Sequence, residues 1–579
     1  MNHILKYFTS ILSISFLLSG FSQVEFPEEK IIGSNETPTY NQLVSFFKNL
    51  SVKNDDISLF NFGNSDYGEP LYVCVLNAVQ DSTATFETAR NGLSLLVNNG
   101  IHPGEPCGIN ASMKLAKDFT KLNEQQKKAF PIIAIVLSHN VGGTFNRSST
   151  SRVNQVGPEE YGFRGNARNY DLNRDFIKMD TENAWAFTRL FHALDPDVFV
   201  DTHTTNGADY SYVLTYIHPI KEVLPPSLKS LTVNELILHL TDKLKTNWQY
   251  DLFPYVVLKD RTLDKGIVSF DSSPRYSIGY TQLFNTISLI TESHMLKPFE
   301  ERVKSTYAFL VEVVEWMQEH NSTIKTARKG AFEYQVNKGK WKYNFQRTEN
   351  ADSIFFKGFE WNFQPSKITG KERLKYHSDK PWNEHIPFYN EFTAKDSLEV
   401  PSYYIVKNSE KEILKRLKVN RVEMKQLQRD TTIFVKAQFV EDFSTIKLPF
   451  EGHYLHYDTK VQLQPKQVVF RKGDWLISAN QRAANFLHNV LFAEMTDSYF
   501  NWNFMDSYLN QKEYFSPYLF EETAEQLLTS DSELKKNFEQ KKLEDKEFNE
   551  SAIEQLRFIY QNSKYFEKSY RILPVYLVY

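Results

Sequence analysis

Short apolar runs alternate with helical patterns through the first half of this 579-residue chain. Turn residues bound each run, as is typical of buried strands. The runs are residues 71–76, 93–98, 131–137 and 197–201. Helical spacing of apolar residues follows at 108–119 and 181–194. This alternation predicts an α/β domain with a mixed, largely parallel central sheet flanked by helices, and such sheets bind ligands at the carboxyl ends of their strands.

The pattern changes after a predicted helix at 298–318. From about residue 330 to 500, short alternating runs rich in aromatic and β-branched residues predict a mostly β module, and the mixed charges of 533–550 predict a solvated helix in a helical tail. One hydrophobic core rarely serves more than ~250–300 residues. We therefore expect a catalytic domain at 23–325 and a β-rich accessory domain at 326–579. Its aromatic residues suit carbohydrate or peptide binding, but an ordinary β core needs them as well and is favoured.

The first residues have the pattern of a secretory signal peptide at 1–22: a basic start, an apolar run to about Leu18, and small residues at Gly20 and Ser22. An uncleaved anchor is the alternative, but the run is shorter than the ~20 apolar residues that a spanning helix needs. We expect an exported protein, periplasmic or secreted, with no stable membrane insertion after cleavage.

Charge and cysteine content exclude several classes of function. The formal net charge is −4, with 67 basic and 71 acidic residues mixed along the chain, which gives no footprint for nucleic acid or an anionic membrane. Cys74 and Cys107 are the two cysteines, too few for a disulfide framework, and we expect two buried free thiols. Nothing in the sequence indicates an oligomeric state.

The segment 98–106, "NNGIHPGEP", sets His102 and Glu105 three residues apart at a Gly/Pro turn after an apolar strand. Two such side chains can converge on one metal ion, although alone such a pair is more often a surface feature. A catalytic zinc ion usually has three protein ligands and one open position. His203 ends the apolar run in "PDVFVDTHTTN" and is the candidate for the third ligand.

Two further segments supply groups for catalysis. The loop 164–176, "RGNARNYDLNRDF", offers Arg164, Arg168 and Arg174 for binding a carboxylate or a developing oxyanion, although arginines in a loop are often only surface residues. The apolar run 285–294 ends near Glu292, which suits a general base but alone would more often be a structural carboxylate.

Taken together, these residues resemble the zinc metallocarboxypeptidase family of the carboxypeptidase A type. The order H-x-x-E, Asp with Asn-Arg, a His after a strand and a late Glu is reproduced over about residues 40–318. The resemblance implies one Zn²⁺ per chain, bound by His102, Glu105 and His203. It also implies that Asp171 orients His102, that Asn173 and Arg174 bind the substrate's C-terminal carboxylate, and that Glu292 is the general base. The resemblance therefore places the catalytic, metal-binding and substrate-binding residues in one site.

Several positions match the family less closely. Arg164 fits best as the oxyanion-stabilising arginine, with Arg168 and Arg147 as alternatives. The family's mobile tyrosine corresponds to Tyr276 or Tyr280, and Arg275 either lines a pocket for acidic side chains or is a solvated loop residue.

The implied activity is hydrolysis of the terminal peptide bond, with a peptide or a cell-wall peptide as substrate. A zinc amidohydrolase acting on small N-acyl amino acids or cell-wall stem peptides is the nearest alternative. A non-catalytic peptide-binding protein on a peptidase fold is the alternative of another class, disfavoured because every required residue type is present.

Overall fold

The computed structural model describes residues 25–79 and 81–579. The predicted signal peptide at 1–22 lies outside the described residues. No helix among those residues is long and apolar enough to cross a membrane.

The strands of the first half form the central sheet and a small extension. They are β1 (Ile57–Asn64), β2 (Pro70–Leu76), β3 (Ser94–Asn98), β4 (Ile132–Val136), β5 (Val198–Thr204), β6 (Leu214–Ile217), β7 (Leu252–Pro254), β8 (Val257–Leu258), β9 (Ile267–Val268) and β10 (Ile287–Ser293). Among the described residues, eight of them make one sheet in the order β1-β2-β4-β3-β5-β10-β6-β7. The central strands β4, β3, β5 and β10 are parallel neighbours, and the flanking pairs β1/β2, β2/β4 and β10/β6 are antiparallel.

Helices cover both faces of this sheet. They are α1 (Lys30–Gly33), α2 (Tyr40–Lys53), α3 (Ser82–Asn91), α4 (Cys107–Phe119), α5 (Glu124–Ala129), α6 (Val141–Phe145), α7 (Glu182–Leu194), α8 (Pro226–Lys229), α9 (Ile237–Trp248), α10 (Ser277–Thr281), α11 (Phe299–Glu319) and α12 (Asn321–Val336). A π-helical turn at Ser230–Leu236 joins α8 to α9, and short 3₁₀ turns lie at Leu172–Arg174, Leu263–Lys265 and Gln282–Phe284. Strands β3, β5 and β10 are buried along their whole length, as expected for parallel strands with both faces covered.

The second half is mostly β, as predicted. Its strands are β11 (Lys340–Arg347), β12 (Asp352–Pro365), β13 (Glu372–Tyr389), β14 (Phe392–Glu399), β15 (Tyr403–Val406), β16 (Lys425–Gln426), β17 (Thr431–Thr445), β18 (His456–Phe470), β19 (Trp475–Ser478) and β20 (Ile572–Val578). They form a pair β11-β14, a sheet β12-β13-β9-β8 and a sheet β16-β19-β15-β20-β17-β18. Because β8 and β9 come from the first half, the two halves share a sheet. The division at residues 325 and 326 stays a prediction.

The remaining helices belong to the second half. They are α13 (Lys411–Val419), α14 (Ala484–Leu491), α15 (Pro517–Ser530), α16 (Ser532–Glu544), α17 (Lys546–Glu550) and α18 (Ala552–Gln561), with a 3₁₀ turn at Asp506–Leu509. The sequence analysis did not foresee β20, which follows α18 and pairs with both β15 and β17. The predicted helical tail is therefore followed by a buried strand at the centre of a sheet.

Packing confirms the predicted fold class, a mixed α/β part with a large mixed sheet followed by a mostly β part. One buried cluster covers one face of the central sheet and runs on into the second half, where it includes Trp502 and Val575. A second cluster fills the space between the other face and helices α4, α9 and α11. Cys74 and Cys107 are buried and free, which confirms the prediction for both thiols.

Helix α4 lies unusually close to β5, and Gly108 is the reason. A Cβ atom at Gly108 would collide with the side chains of Thr202 and Asn99. The Thr202 hydroxyl donates a hydrogen bond to Asn99 Oδ1 at 3.0 Å, so these side chains cannot move apart freely.

We predict that Gly108→Ala lowers the free energy of unfolding by about 1–3 kcal/mol because of this collision. Gly330→Ala is the matched control, since its added Cβ would come no nearer than 3.6 Å to a neighbouring atom and alanine favours a helix interior by up to ~1 kcal/mol. Urea denaturation of the two variants and the wild type measures both effects. Equal stability of Gly108→Ala and wild type would contradict the close packing.

Candidate metal centre

The turn after β3 carries the first two predicted ligands. Gly100 has a φ of 62°, in the left-handed region that favours glycine. Farther along the turn, the Glu105 N–H donates to the His102 carbonyl at 2.8 Å. As a result, Nδ1 of His102 lies 3.3 Å from Oε1 of Glu105.

The third predicted ligand comes from the neighbouring strand. His203 lies in β5, and its Nδ1 is 3.1 Å from Oε2 of Glu105. One donor atom from each of His102, Glu105 and His203 lies within 4.8 Å of the others, and all three residues are buried. The structure therefore brings the predicted ligand set together at the carboxyl edge of the central sheet.

A carboxylate stands behind each imidazole. Asp171 Oδ1 is 2.9 Å from Nε2 of His102, as the resemblance implied. Asp201 Oδ2 is 3.1 Å from Nε2 of His203. Metal-bound histidines usually donate their second N–H to such a partner, which fixes the ring and the tautomer. The sequence analysis missed Asp201, although residues two apart in a strand share a face and the "DTH" spacing therefore contained the signal.

The donors fit a divalent metal ion. Nδ1 of His102 is buried and has no hydrogen-bond partner among the described residues, which is unusual for a buried polar atom. Burial would raise the pKa of Glu105, but Arg152 and His102 beside it lower that pKa well below its usual range. Two imidazoles and one ionised carboxylate are a donor set that zinc binds readily.

Glu292 lies on β10, directly beside His203 in the parallel pairing with β5. It is 9% exposed and lines the same cavity as the metal donors. Burial raises the pKa of Glu292 to about 8, although the positive charges of His203 and two arginines act to lower it. Its Oε2 has no hydrogen-bond partner among the described residues. Glu292 can therefore exchange a proton near neutral pH.

The cavity next to the metal donors measures about 520 Å³ and is lined by predicted substrate-binding groups. Arg164 Nε donates to Asp171 Oδ2 at 2.9 Å. The Arg174 guanidinium lies 4.3 Å from the centre of the Tyr276 ring. Asn173 Oδ1 accepts from the Ser277 N–H at 3.2 Å, which leaves the Asn173 NH₂ group available. Arg164, Asn173, Arg174 and Tyr276 all line the cavity.

The structure adds cavity residues that the sequence analysis did not single out. Arg152 contacts Glu105 Oε1 and donates to the Thr204 carbonyl at 3.2 Å. Gly104 makes room for it, since a Cβ there would lie 2.8 Å from Arg152 Cδ. Tyr255 and Phe270 also line the cavity. No motif or periodicity in the sequence marks Arg152, because it reaches the site from an irregular loop.

Two of the predicted substrate-binding residues lie elsewhere. Arg168 does not line the cavity: its Nη1 donates to the Asp180 carbonyl at 2.8 Å and its guanidinium lies near Asp66. Tyr280 is fully buried, and its hydroxyl donates to Asn420 Oδ1 at 2.7 Å. Its place on α10 points the ring into the core instead of the cavity.

The alternative arginines are also bound elsewhere. Arg147 donates to the carbonyls of Thr37 and Pro38, each at 3.1 Å, so it does not take the oxyanion role. Arg275 does not line the metal cavity, and it is not a solvated loop residue. Its Nε donates to Asp497 Oδ1 at 2.8 Å and its backbone N–H to Asp497 Oδ2 at 3.0 Å.

The turn between β17 and β18, in the second half of the chain, contacts the loop beside the site. Glu451 Oε2 accepts a hydrogen bond from the Asp171 backbone N–H at 2.9 Å. His453 Nε2 lies 2.7 Å from Asp180 Oδ2. Because Asp171 in turn holds His102, the turn from the β-rich half fixes the loop that orients one metal donor.

Comparisons with known proteins give matches among solved structures alone. No model of a protein family matches the chain, and no curated protein does. Among the similar solved structures is a metallo-carboxypeptidase from Burkholderia cenocepacia, with 15% identity over 48% of this chain and 69% of that chain and a TM-score of 0.36. Carboxypeptidase A from Helicoverpa armigera has 11% identity over 52% and 80%, with a TM-score of 0.37. Bovine thrombin-activatable fibrinolysis inhibitor has 12% identity over 50% and 99%, with a TM-score of 0.36. At such low identities and TM-scores, the function has to be inferred from the chain's own residues.

We predict that Asp201→Asn weakens zinc binding by about 10- to 100-fold, because the carboxylate 3.1 Å from His203 Nε2 is lost. Competition with a chromophoric chelator measures the dissociation constant directly. Asp242→Asn is the matched control, an exposed aspartate on α9. Unchanged zinc affinity in Asp201→Asn would show that this carboxylate does not support the metal donor.

Proposed function

We propose that this protein is a zinc-dependent carboxypeptidase that removes C-terminal residues from peptides outside the cytoplasm. The observation that carries the proposal is the meeting of three metal donors, a buried carboxylate and three arginines around one cavity. His102, Glu105 and His203 would hold one zinc ion, with Asp171 and Asp201 fixing the imidazoles.

The metal's contribution is Lewis acidity, which lowers the pKa of a water molecule and polarises a carbonyl group. The chain must supply the proton transfers. Glu292 is suited to take a proton from the attacking water, because its buried carboxyl group lines the same cavity as the metal donors and lies beside His203 in the sheet. The same carboxyl group then delivers the proton to the leaving nitrogen.

The arginines and Asn173 would orient the substrate. Arg174 and the free NH₂ of Asn173 would bind the terminal carboxylate through charge-assisted hydrogen bonds. Arg164 would stabilise the charge that develops on the scissile carbonyl oxygen. Tyr276 packs against Arg174 and would restrict its guanidinium to one direction.

Two other functions use the same groups differently. A zinc amidohydrolase would act on small N-acyl amino acids or on cell-wall stem peptides with the same metal and base. A non-catalytic peptide-binding protein would have no need of Glu292, whose buried Oε2 has no hydrogen-bond partner in the part of the chain that the structure describes, at a cost in stability. That cost favours an enzyme.

We predict about one zinc ion per chain in both the wild type and Glu292→Gln, with C-terminal trimming of a mixed peptide library in the wild type alone. Loss of the general base is expected to lower kcat by about 10²- to 10⁴-fold while zinc stays bound. Elemental analysis and mass spectrometry of the library measure the two quantities.

The possible results separate the alternatives. Zinc without peptide trimming, together with cleavage of N-acyl amino acids or stem peptides, would move the assignment to the amidohydrolase. Absence of zinc from the wild type would contradict the metallohydrolase proposal altogether.

We predict that Arg174→Ala lowers kcat/KM for peptides with a free C-terminus by about 10- to 100-fold. This factor corresponds to the free energy that a hydrogen-bonded charge pair contributes to binding. Arg168→Ala is the matched control from the same loop, since that guanidinium faces Asp66. Steady-state kinetics with free and C-terminally amidated peptides measures the difference. Equal losses in both variants would contradict the assigned role of Arg174.

A further inference from the structure

One carboxylate beside the metal centre is shared by several groups of the proposed site. Asp171 Oδ1 lies 2.9 Å from His102 Nε2 and accepts the Asn173 N–H at 3.0 Å. Its other oxygen accepts from Arg164 Nε at 2.9 Å and lies 3.9 Å from Arg174 Nη2. The place of Asp171 therefore bears on one metal donor and on two arginines at once.

The backbone of Asp171 is bound from the second half of the chain. Asp171 comes immediately before the short 3₁₀ turn Leu172–Arg174. Its N–H donates to Glu451 Oε2 at 2.9 Å. A hydrogen bond to an ionised acceptor is roughly twice as strong as one between neutral groups. The Glu451 carboxylate is thus one hydrogen bond away from the residue that orients His102.

Glu451 has an unusual backbone conformation. Together with Gly452 it forms the tip of the hairpin between β17 and β18, where Phe450 and His453 exchange backbone hydrogen bonds of 2.8 and 3.1 Å. The φ angles are 49° at Glu451 and 81° at Gly452, both in the left-handed region. Two-residue turns of this kind favour Asn or Asp at the first position, and left-handed residues other than glycine are uncommon. Such disfavoured conformations cluster at functional positions.

The length of the glutamate side chain matches the distance to the loop beside the metal centre. The tip of the turn packs closely there, since a Cβ at Gly452 would lie 2.7 Å from the Tyr170 hydroxyl. An asparagine would suit the turn better, but its side chain is one methylene group shorter and would not reach the Asp171 N–H. Glu451 therefore fits the contact with Asp171 better than it fits its own turn.

Other contacts between the two halves hold the same loop farther along. Arg416 Nε donates to the Lys178 carbonyl at 2.6 Å, and His453 Nε2 lies 2.7 Å from Asp180 Oδ2. These contacts do not involve the Glu451 side chain. The path of the loop should therefore survive a substitution of Glu451, and the effect should be confined to Asp171 and the groups that it binds.

We propose that Glu451 is a positioning residue of the metal centre. Its carboxylate fixes Asp171, and Asp171 in turn fixes the His102 ring and the Arg164 guanidinium. The β-rich half is then a working part of the enzyme and more than an accessory domain. The proposal rests on the proposed function for the reaction that is affected, but zinc binding alone is enough to test it.

The first test separates the stability of the turn from the contact with Asp171. Glu451→Asn favours the turn but is too short for the contact, whereas Glu451→Gln keeps the length and an oxygen that accepts the same N–H. We expect Glu451→Asn to weaken zinc binding about 3- to 10-fold, less than the ~10- to 100-fold typical of groups that contact a metal ligand directly. We expect kcat/KM to fall by at least the same factor, while Tm is equal to or above that of the wild type. Glu451→Gln should keep most of the zinc affinity and of kcat/KM.

Glu441→Asn is the matched control, because Glu441 is an exposed glutamate on β17. Competition with a chromophoric chelator gives the zinc dissociation constant of each variant. Unchanged zinc affinity and kcat/KM in Glu451→Asn would overturn the proposal. An equal loss in Glu451→Asn and Glu451→Gln, accompanied by a lower Tm in both, would also overturn it, because a purely structural role gives that pattern.

Hydrogen exchange tests the contact without metal or substrate. In the metal-free protein, the segment that contains Asp171 should exchange faster in Glu451→Asn than in the wild type, because the hydrogen bond to its N–H is lost. The same segment in Glu451→Gln should exchange at close to the wild-type rate. Equal exchange in all three proteins would contradict the proposed role of the contact.

The zinc measurement also separates this proposal from the proposed function. Weaker zinc binding in Glu451→Asn supports the positioning role even if no variant cleaves a peptide. Peptide trimming with equal zinc affinity and equal kcat/KM in the wild type and Glu451→Asn would overturn the positioning role and leave the proposed function intact. Absence of zinc from the wild type would overturn both.

Discussion

The parallel pairing of β5 with β3 on one side and β10 on the other is the constraint on which the site depends. It places the turn after β3, His203 and Glu292 at one edge of the sheet, although they are far apart in the chain. A slip of one residue would turn His203 to the opposite face and remove it from Glu105. All three strands are buried along their whole length, so the register that brings these residues together lies inside the core.

Much of this arrangement could be predicted from the sequence because short-range patterns specify it. The apolar runs and helical spacings marked the central strands and α4, α7 and α11, and the ends of the strands indicated where His102, Glu105, His203 and Glu292 would lie. Asp201 could have been found by the same rule, since it lies two residues before His203 on one face of β5.

Other parts depend on contacts that no local pattern encodes. Arg152 enters the cavity from an irregular loop, and the room for it is made by Gly104, a residue far away in sequence. Arg168 and Arg174 share one loop with similar neighbours, and the tertiary fold alone directs one toward Asp66 and the other into the cavity. Tyr280 and Tyr276 are close neighbours in the same segment of the sequence, but the turn into α10 directs the Tyr280 ring to the core. Strand β20 was missed because its partners, β15 and β17, precede it by more than a hundred residues.

The supports from the second half also bear on the order in which the site can form during synthesis. Glu451 follows the Asp171 that it holds by 280 residues, and Asp497 follows Arg275 by 222. A ribosome makes His102, Glu105, His203 and Glu292 first and these two supports much later, and domains generally fold in the order in which they emerge. The loop that orients His102 and the loop that carries Tyr276 therefore receive their final contacts only when most of the chain has been translated. A site built in this way is completed late, after its own nascent chain has largely left the ribosome.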